Sequence, residues 1–261
     1  MHSPATAQAE QSAAGGPLIV PHLAGEPEIE VSVVVPTLDE GENIVAFIGA
    51  LCAVLDATRR RYELIVVDDD SADQTWRLAE AQCATRPALR VIRRRGERGL
   101  ARAVIRGWQA ARGEVLGTIN ADWQHPPAVL SAMLAAIDGA DLVVASRYAA
   151  AGSVGAWSPW RRVAARVARR AGHLLVPAVF ARVSDPLSGC YLVRRAAIAA
   201  VELRPLGPKS LLEVLARGRV ETIRECPYTF QPRRRGHSKA GAVAALSFLI
   251  QLVRLRARAP N

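Results

Sequence analysis

The sequence predicts an α/β domain in which a mostly parallel, doubly wound sheet carries helices on its faces. Three observations predict it. Short β-branched runs alternate with helical patterns of about ten to fifteen residues. Aromatic residues make up only 5% of the chain while alanine, valine and leucine are plentiful, which favours helices packed on a sheet over an aromatic-rich sandwich. Half of the 261 residues are hydrophobic, enough to bury a sizeable core without disulfides or a structural metal.

Residues 1–28 are rich in Ala, Gly, Pro and Gln without periodicity, and read as a flexible tail ahead of a domain over 29–239. Val31 to Val35 is a buried strand that ends at Pro36, and Asp39-Glu40-Gly41-Glu42 starts a helix running to about Thr58. Leu64 to Val67 is a second strand, tipped by Asp68 to Ser71 and followed by a helix over roughly 73–84. Leu89 to Ile92 and Val115 to Ile119 are the third and fourth strands, separated by a helix from Leu100 to Ala111. The fourth closes on Asn120-Ala121-Asp122; after a helix near 127–137, Asp141 to Ala145 is the fifth. Beyond about 150 the alternation breaks down. A Trp- and Arg-rich helical stretch covers 158–180, and the polar turn Ser184 to Gly189 precedes a short strand. A helix from Lys209 to Ala216, two strands around 219–231, a basic loop Arg233 to Lys239 and an apolar, basic-tipped helix over 240–261 complete the chain.

The net charge of +10 and pI near 10.4 fit three partners: nucleic acid, an anionic membrane surface, or phosphorylated substrates. An Arg- and Ala-rich codon bias is the alternative source of the charge. A nucleic-acid binder is disfavoured, since no binding motif or interleaved aromatics accompany the charge. Cys52, Cys83, Cys190 and Cys226 are far apart without a CxxC pair, and read as reduced thiols of a cytosolic protein. No signal peptide is visible, and no apolar run reaches the length of a spanning helix.

In a doubly wound sheet ligands bind beyond the carboxyl ends of the strands. Polar clusters sit there three times, at Asp39-Glu40, at Asp68 to Ser71 and at Asn120 to Gln124. Alternate residues on an extended segment point the same way, so Asn120, Asp122 and Gln124 are expected to converge. One carboxylate and two amide oxygens make a hard site for Mg²⁺ or Mn²⁺, with a substrate diphosphate as a further ligand. The competing reading is a polar turn before the helix start at Pro126-Pro127.

An ordered set of segments over about 29–241 then carries a resemblance: "VSVVVPTLDEGENI", "ELIVVDDDSADQT", "RGL", "NADWQHPP", "VVASRY", "SVGAWSPWRR", "DPLSGCYLVRR", "KSLLE" and "FQPRRRGHSKAG". In these the chain resembles glycosyltransferase family 2, and within it the polyprenyl-phosphate (dolichol-phosphate) mannosyltransferases. The resemblance implies a GT-A type sheet and an inverting transfer of a sugar, mannose from GDP-mannose, onto a polyprenyl phosphate. By position it implies that Pro36, Leu38, Glu40, Val67 and Asp69 hold the donor nucleoside. It implies that Asn120, Ala121, Asp122 and Gln124 hold metal and diphosphate, and that Arg147, Lys209, Arg233 and Lys239 contact phosphates. Two substrates rich in negative charge need such cations around them. The competing reading of the Arg233 segment is a solvated basic loop.

Two positions depart from the family pattern. Asn120 stands where Asp is usual, which removes a charge from the metal cluster, and Leu38-Asp39 stands where Tyr-Asn is usual, which removes a ring beside the base. Other outcomes of the same resemblance are transfer of another sugar, such as glucose from UDP-glucose, or a non-catalytic homologue. His125 and His237 show no metal-ligand spacing and read as supporting or solvated groups. A phosphate acceptor, with a second pKa of about 6, arrives largely ionised and needs no strong general base. Finally, Arg162, Arg166 and Arg170 recur every four residues behind Trp157 and Trp160, with Val163 and Val167 as an apolar strip. With Ala242 to Val253 and the arginines Arg254, Arg256 and Arg258, this reads as a peripheral surface for anionic membrane on the cytoplasmic face.

Overall fold

The computed structural model describes residues 10–11, 17–23, 25, 28–205, 207–235 and 242–257. Its strands are β1 (Glu10–Gln11), β2 (Ile29–Thr37), β3 (Tyr62–Asp68), β4 (Leu89–Arg93), β5 (Gly113–Thr118), β6 (Leu142–Ser146), β7 (Tyr191–Arg194) and β8 (Ile223–Pro227). Its helices are α1 (Gly41–Ala57), α2 (Thr75–Glu80), α3 (Leu100–Ala110), α4 (Val129–Ala136), α5 (Pro159–Leu175), α6 (Pro177–Phe180), α7 (Arg195–Ile198), α8 (Ser210–Arg217) and α9 (Ala242–Arg256).

The strands form one sheet in the order β1-β4-β3-β2-β5-β7-β6-β8. All run parallel except β7, which is antiparallel to both β5 and β6. Strands buried on both faces read as near-continuous apolar runs, and β2 is buried from Val31 onward, its one polar residue in the valine run, Ser32, donating to Glu63 of β3 at 2.7 Å. The two-residue period sorts these side chains between layers. Val31, Val33 and Val35 face Ile44, Phe47, Ile48 and Leu51 of α1, and Val34 faces Val104, Ile105 and Trp108 of α3. Each fully buried side chain of this size stabilises the fold by roughly 1.5–3 kcal/mol. Gly107 lets α3 lie close to the sheet, because a Cβ there would sit 2.6 Å from a Val34 methyl. A third cluster, Val176, Phe180, Leu212, Leu252 and Leu255, joins α5, α6, α8 and α9.

The structure alters several boundaries. β2 continues past Pro36 to Thr37, because the β5 ladder stops at Val34 and only β3 pairs beyond it; a residue without N–H is tolerated there. The helix after β3 is a short α2 followed by a 3₁₀ turn over Cys83–Thr85. Between 219 and 231 there is one strand, β8, since Thr229 makes only an isolated bridge to Ser153. The N-terminal segment is not free throughout. Leu18 and Val20 are buried, Ile19 and Val20 bridge to Glu202 and Ala199, and β1 adds to the sheet edge beside β4. No helix among the described residues is long and apolar enough to cross a membrane.

Candidate active site

Leaving β2, the sheet runs to β3 and β4 on one side and to β5 on the other. That reversal of direction opens a crevice at the carboxyl ends of β2 and β5. The loops that follow β2, β3 and β5 therefore meet there, and side-chain bonds fix them to one another. Asp68 accepts from Thr37 Oγ1 (2.7 Å), the Ser71 amide (2.8 Å) and Ser71 Oγ (2.6 Å). Ser71 Oγ accepts the Asp39 amide, Thr75 Oγ1 accepts the Glu40 amide and Asp73 accepts the Gly41 amide, each at 2.8–2.9 Å. Asp39, Asp70, Gln74 and Trp123 all adopt positive φ around this crevice. Left-handed backbone costs of order 1–3 kcal/mol per residue and persists only where the surroundings hold it.

Asp69 lies at the β3 and β4 side. Its Oδ2 accepts the Gly99 amide at 2.7 Å, and Arg94 approaches Oδ1 at 3.3 Å without hydrogen-bond geometry. Burial pushes its pKa up to about 6, against the opposing charge of Arg94 and the Gly99 bond. Arg94 is itself fully buried between Asp69 and Glu97, and a cleft of about 250 Å³ lined by Arg98, Arg102, Gly207 and Ser247 opens beside Gly99. Of the other residues expected at the nucleoside, Val67 is buried in the α3 layer and Pro36 lies opposite it on the β2–β3 ladder, one residue before the end of β2. Leu38 follows at the loop entrance.

The acid cluster is held differently from the extended segment expected. Beyond β5 the chain turns at Ala121-Asp122, and Trp123 takes φ 62°, so alternation of an extended strand does not apply. Asp122 Oδ1 instead accepts the Gln124 amide at 3.1 Å. Arg233 then joins the two sides of the crevice: Nη1 donates to Glu40 Oε1 at 2.7 Å and Nη2 to Asp122 Oδ2 at 3.2 Å. Burial raises the Asp122 pKa, and the Arg233 charge opposes that rise. Asn120 Oδ1 is buried without a hydrogen-bond partner, and the chain passes so close that a Cβ on Gly189 would meet Asn120 Nδ2 at 2.7 Å. Ala121 is buried beside it in the α1 layer.

Arg147 carries a finding that the sequence reading lacked. Its Nε and Nη2 donate to the two oxygens of Asp185 at 2.7 and 2.6 Å, and its amide donates to Asp185 as well. That bidentate lock makes it a fixed cation; its guanidinium also lies over Trp157 and Phe230. Arg161, on the first turn of α5, stacks over the same two rings at 4.7 and 4.8 Å. Burial lowers its pKa, and Arg147 and Arg233 add to that lowering while Asp122 opposes it, so Arg161 faces the same centre. Lys209 Nζ donates to Leu187 O at 2.9 Å; burial and then Arg147 lower its pKa to about 8. His125 stacks on Tyr228 with both ring nitrogens unpartnered, and burial, with Arg147 adding, drives its pKa down to about 3. It is a neutral packing group. Lys239 and His237 lie outside the described residues. The roles of Asp185, Arg161 and Arg94 were missed: Asp185 and Arg161 stood in the segments that carry the resemblance without a task assigned, and the pairings Asp185–Arg147, Arg161–Phe230 and Arg94–Asp69 join distant parts of the chain.

A mostly parallel sheet with one reversed strand, and acids, amides and cations gathered at its switch point, is the GT-A glycosyltransferase arrangement. The chain belongs to glycosyl transferase family 2, which matches over residues 32–201. A dolichol-phosphate mannosyltransferase of Pyrococcus furiosus is 37% identical over 228 residues, covering 87% of this chain and 64% of that protein, so the chain spans just under two thirds of it. The protein of the same description from Saccharomyces cerevisiae is 32% identical, with 87% of each chain covered. A polyprenol monophosphomannose synthase of Mycolicibacterium smegmatis is 32% identical, covering 88% and 86%. Among solved structures, glucosyl-3-phosphoglycerate synthase from Mycobacterium tuberculosis, in complex with Mn²⁺, UDP-glucose and phosphoglyceric acid, shares the fold. Its TM-score is 0.62 at 23% identity, over 90% of this chain and 82% of that one.

Proposed function

We propose that the chain transfers mannose from GDP-mannose to a polyprenyl phosphate, with inversion at the anomeric carbon, while bound to the cytoplasmic face of a membrane. The observation that carries the reading is the gathering of Arg161, Lys209 and Arg233 around Asp122, with Arg147 beside Arg161 and Lys209. Four cations gathered beside one acid suit a reaction between phosphorylated substrates, and the relatives' names include a phosphate-bearing lipid, dolichol phosphate.

The residues present fit a divalent cation. Asp122 offers a carboxylate, Gln124 an amide oxygen, and Asn120 Oδ1 is a buried acceptor that lacks a partner. This is an all-oxygen set suited to Mg²⁺ or Mn²⁺. When bound, the ion would supply charge stabilisation for the departing nucleoside diphosphate.

The chain's own groups do the rest. Asp69, with the Pro36 to Glu40 loop, holds the nucleoside end of the donor. Arg233 and Lys239 offset its phosphates, and Arg147, with Arg161 beside it, receives the acceptor phosphate. Because that phosphate is ionised near neutral pH, its oxygen can attack the anomeric carbon without transferring a proton to the enzyme. His125, uncharged and enclosed, is no candidate for a base.

An apolar surface lies on α5 and α9, where Trp160 is 83% exposed, and Val163, Val167, Leu174, Leu246, Leu249, Ile250 and Val253 are exposed with it. With Arg162, Arg166 and Arg170 on α5, it suits a headgroup layer in which a polyprenyl acceptor is embedded. The test is to incubate purified protein with a panel of labelled nucleotide sugars, polyprenyl phosphate and Mn²⁺, and to extract the lipid. Label from GDP-mannose in the lipid phase supports the reading. Label from UDP-glucose alone, or none, refutes it.

A further inference from the structure

The segment after β8 is tied to the crevice at each step. The Gln231 amide donates to Gln124 O at 3.1 Å, Arg234 lies 3.7 Å from the Trp123 ring centre, and Asn43 Nδ2 donates to Arg235 O at 3.2 Å. Between these anchors Arg233 forks across Glu40 and Asp122, the carboxylates on opposite walls. Both acids are about nine-tenths buried, and the Arg233 side chain is 19% exposed. The guanidinium therefore stands on an oxygen of the acid that a divalent cation would need, while Asn120 Oδ1, two residues before that acid, is buried without a partner.

Charge makes this arrangement consequential. Glu40 and Asp122 together carry two negative charges, and Arg233 cancels one of them. With Asn at position 120, no third carboxylate among the described residues joins them to draw a cation in, so Arg233 competes with the metal on favourable terms. A diphosphate changes the balance, since its oxygens give an arginine a new bidentate partner and give the metal new ligands.

We propose that Arg233 is the resident counter-charge of the metal seat: it and the divalent cation hold Asp122 in alternative arrangements, and a nucleoside diphosphate resolves the competition by drawing Arg233 to itself. This rests on the reading of Asn120 and Asp122 as the cation's ligands. Its consequence is an order of assembly. The metal binds the free protein weakly and binds well only with a nucleoside diphosphate, so the seat stays closed to stray cations until donor arrives. Because linked equilibria are reciprocal, removing the arginine must strengthen metal binding by the factor with which it opposes it.

The experiment is Mn²⁺ binding to the full chain, without sugar donor or acceptor, followed by electron paramagnetic resonance of the free ion. Wild type, Arg233→Gln and Asp122→Asn are compared, with circular dichroism confirming the fold. Arg233→Gln should bind Mn²⁺ about tenfold more tightly than wild type, a typical coupling between linked sites. Asp122→Asn should bind it more weakly. Adding GDP should close the gap between wild type and Arg233→Gln to within about threefold. Equal affinities for these two, with Asp122→Asn still weaker, would overturn the competition and leave the metal site standing. A gap that GDP leaves unchanged would overturn the proposed release of Arg233. Unchanged binding in Asp122→Asn would overturn the metal reading, and this inference with it. If Arg233→Gln does not fold, Arg233→Lys serves. Its point charge cannot fork across both carboxylates, so it should bind Mn²⁺ more tightly than wild type, and parity would count against the proposal.

Discussion

Asp185→Ala tests whether the cations of the candidate site are held by buried acids. In the structure Asp185 is 1% exposed and Arg147 11% exposed, and three bonds of 2.6 to 3.1 Å join them. Removing the acid leaves a guanidinium enclosed by Trp157, Phe230 and Tyr148 with its counter-charge gone. Breaking a buried pair by deleting one partner costs about 3–5 kcal/mol. In a domain of this size each kcal/mol moves the melting temperature by about 2–4 °C, so a fall of about 10 °C is expected. The pH dependence gives a second check. Burial alone would raise the Asp185 pKa, but the bonds and charge of Arg147 outweigh it and the net shift is downward. The stabilisation is therefore fully present above the unfolded carboxylate value of about 4, and is lost as pH falls through the lower folded value. Thermal denaturation of wild type and variant from pH 7 to pH 3 should show a constant difference down to about pH 5, then a shrinking one. A loss below about 1 kcal/mol at pH 7, the size of an exposed pair, would refute the claim that this bridge is a buried anchor.

Asp122→Ala should fall below about a tenth of wild-type turnover in the lipid-extraction assay, since charge stabilisation at a departing diphosphate is worth several kcal/mol; higher residual activity would remove Asp122 from the site. Asn120→Asp should lower the Mn²⁺ concentration giving half-maximal turnover, and an unchanged or raised requirement would show that position 120 does not help hold the ion. If no side chain acts as an essential base, an acceptor analogue with a shifted second pKa should move the acid limb of the pH–rate profile by the same amount; a fixed limb would assign that ionisation to the enzyme. Flotation with anionic vesicles should recover the protein at low salt, less of it at high salt, and less again with Arg162, Arg166 and Arg170 changed to Ala, at about 1 kcal/mol per basic residue near the surface; failure of the wild type to float would refute the membrane surface.

Much of the fold was legible because parallel strands buried on both faces leave a strong mark. The valine runs at 31–35 and 64–67 and the amphipathic α3 needed no distant information. The direction of β7 did not show, since a four-residue apolar strand reads the same whichever way it runs and its pairing with β5 and β6 is set by tertiary packing. The burial of Leu18 and Val20 was masked by Ala- and Gly-rich neighbours, and depends on a partner segment about 180 residues away. At the site, the strand-end acids and Arg233 were legible as residue types at fixed places. That Arg233 binds two of those acids, or that Asp185 holds Arg147, was not, because each pairing joins loops brought together only by the closed sheet.

The run Asp68-Asp69-Asp70 shows how strand geometry divides one motif into separate tasks. Three adjacent carboxylates look like a single anionic patch, and in water they would repel one another. At the end of β3 the alternation of faces sends Asp68 and Asp69 to opposite sides. Asp68 turns toward the β2 loop, where Thr37 and Ser71 fill its oxygens and staple the two loops together. Asp69 turns toward Gly99, keeps Oδ1 without a hydrogen bond, and is pushed by burial to a pKa of about 6. Asp70, at φ 57°, leaves the strand direction and pairs with Arg93, whose guanidinium lies 4.0 Å from the Trp76 ring centre. The first acid is consumed in building the crevice and the third in anchoring its rim. Only the middle one keeps a buried oxygen without a hydrogen bond, at the β3 and β4 side of the crevice, which suits the nucleoside-holding role proposed for it.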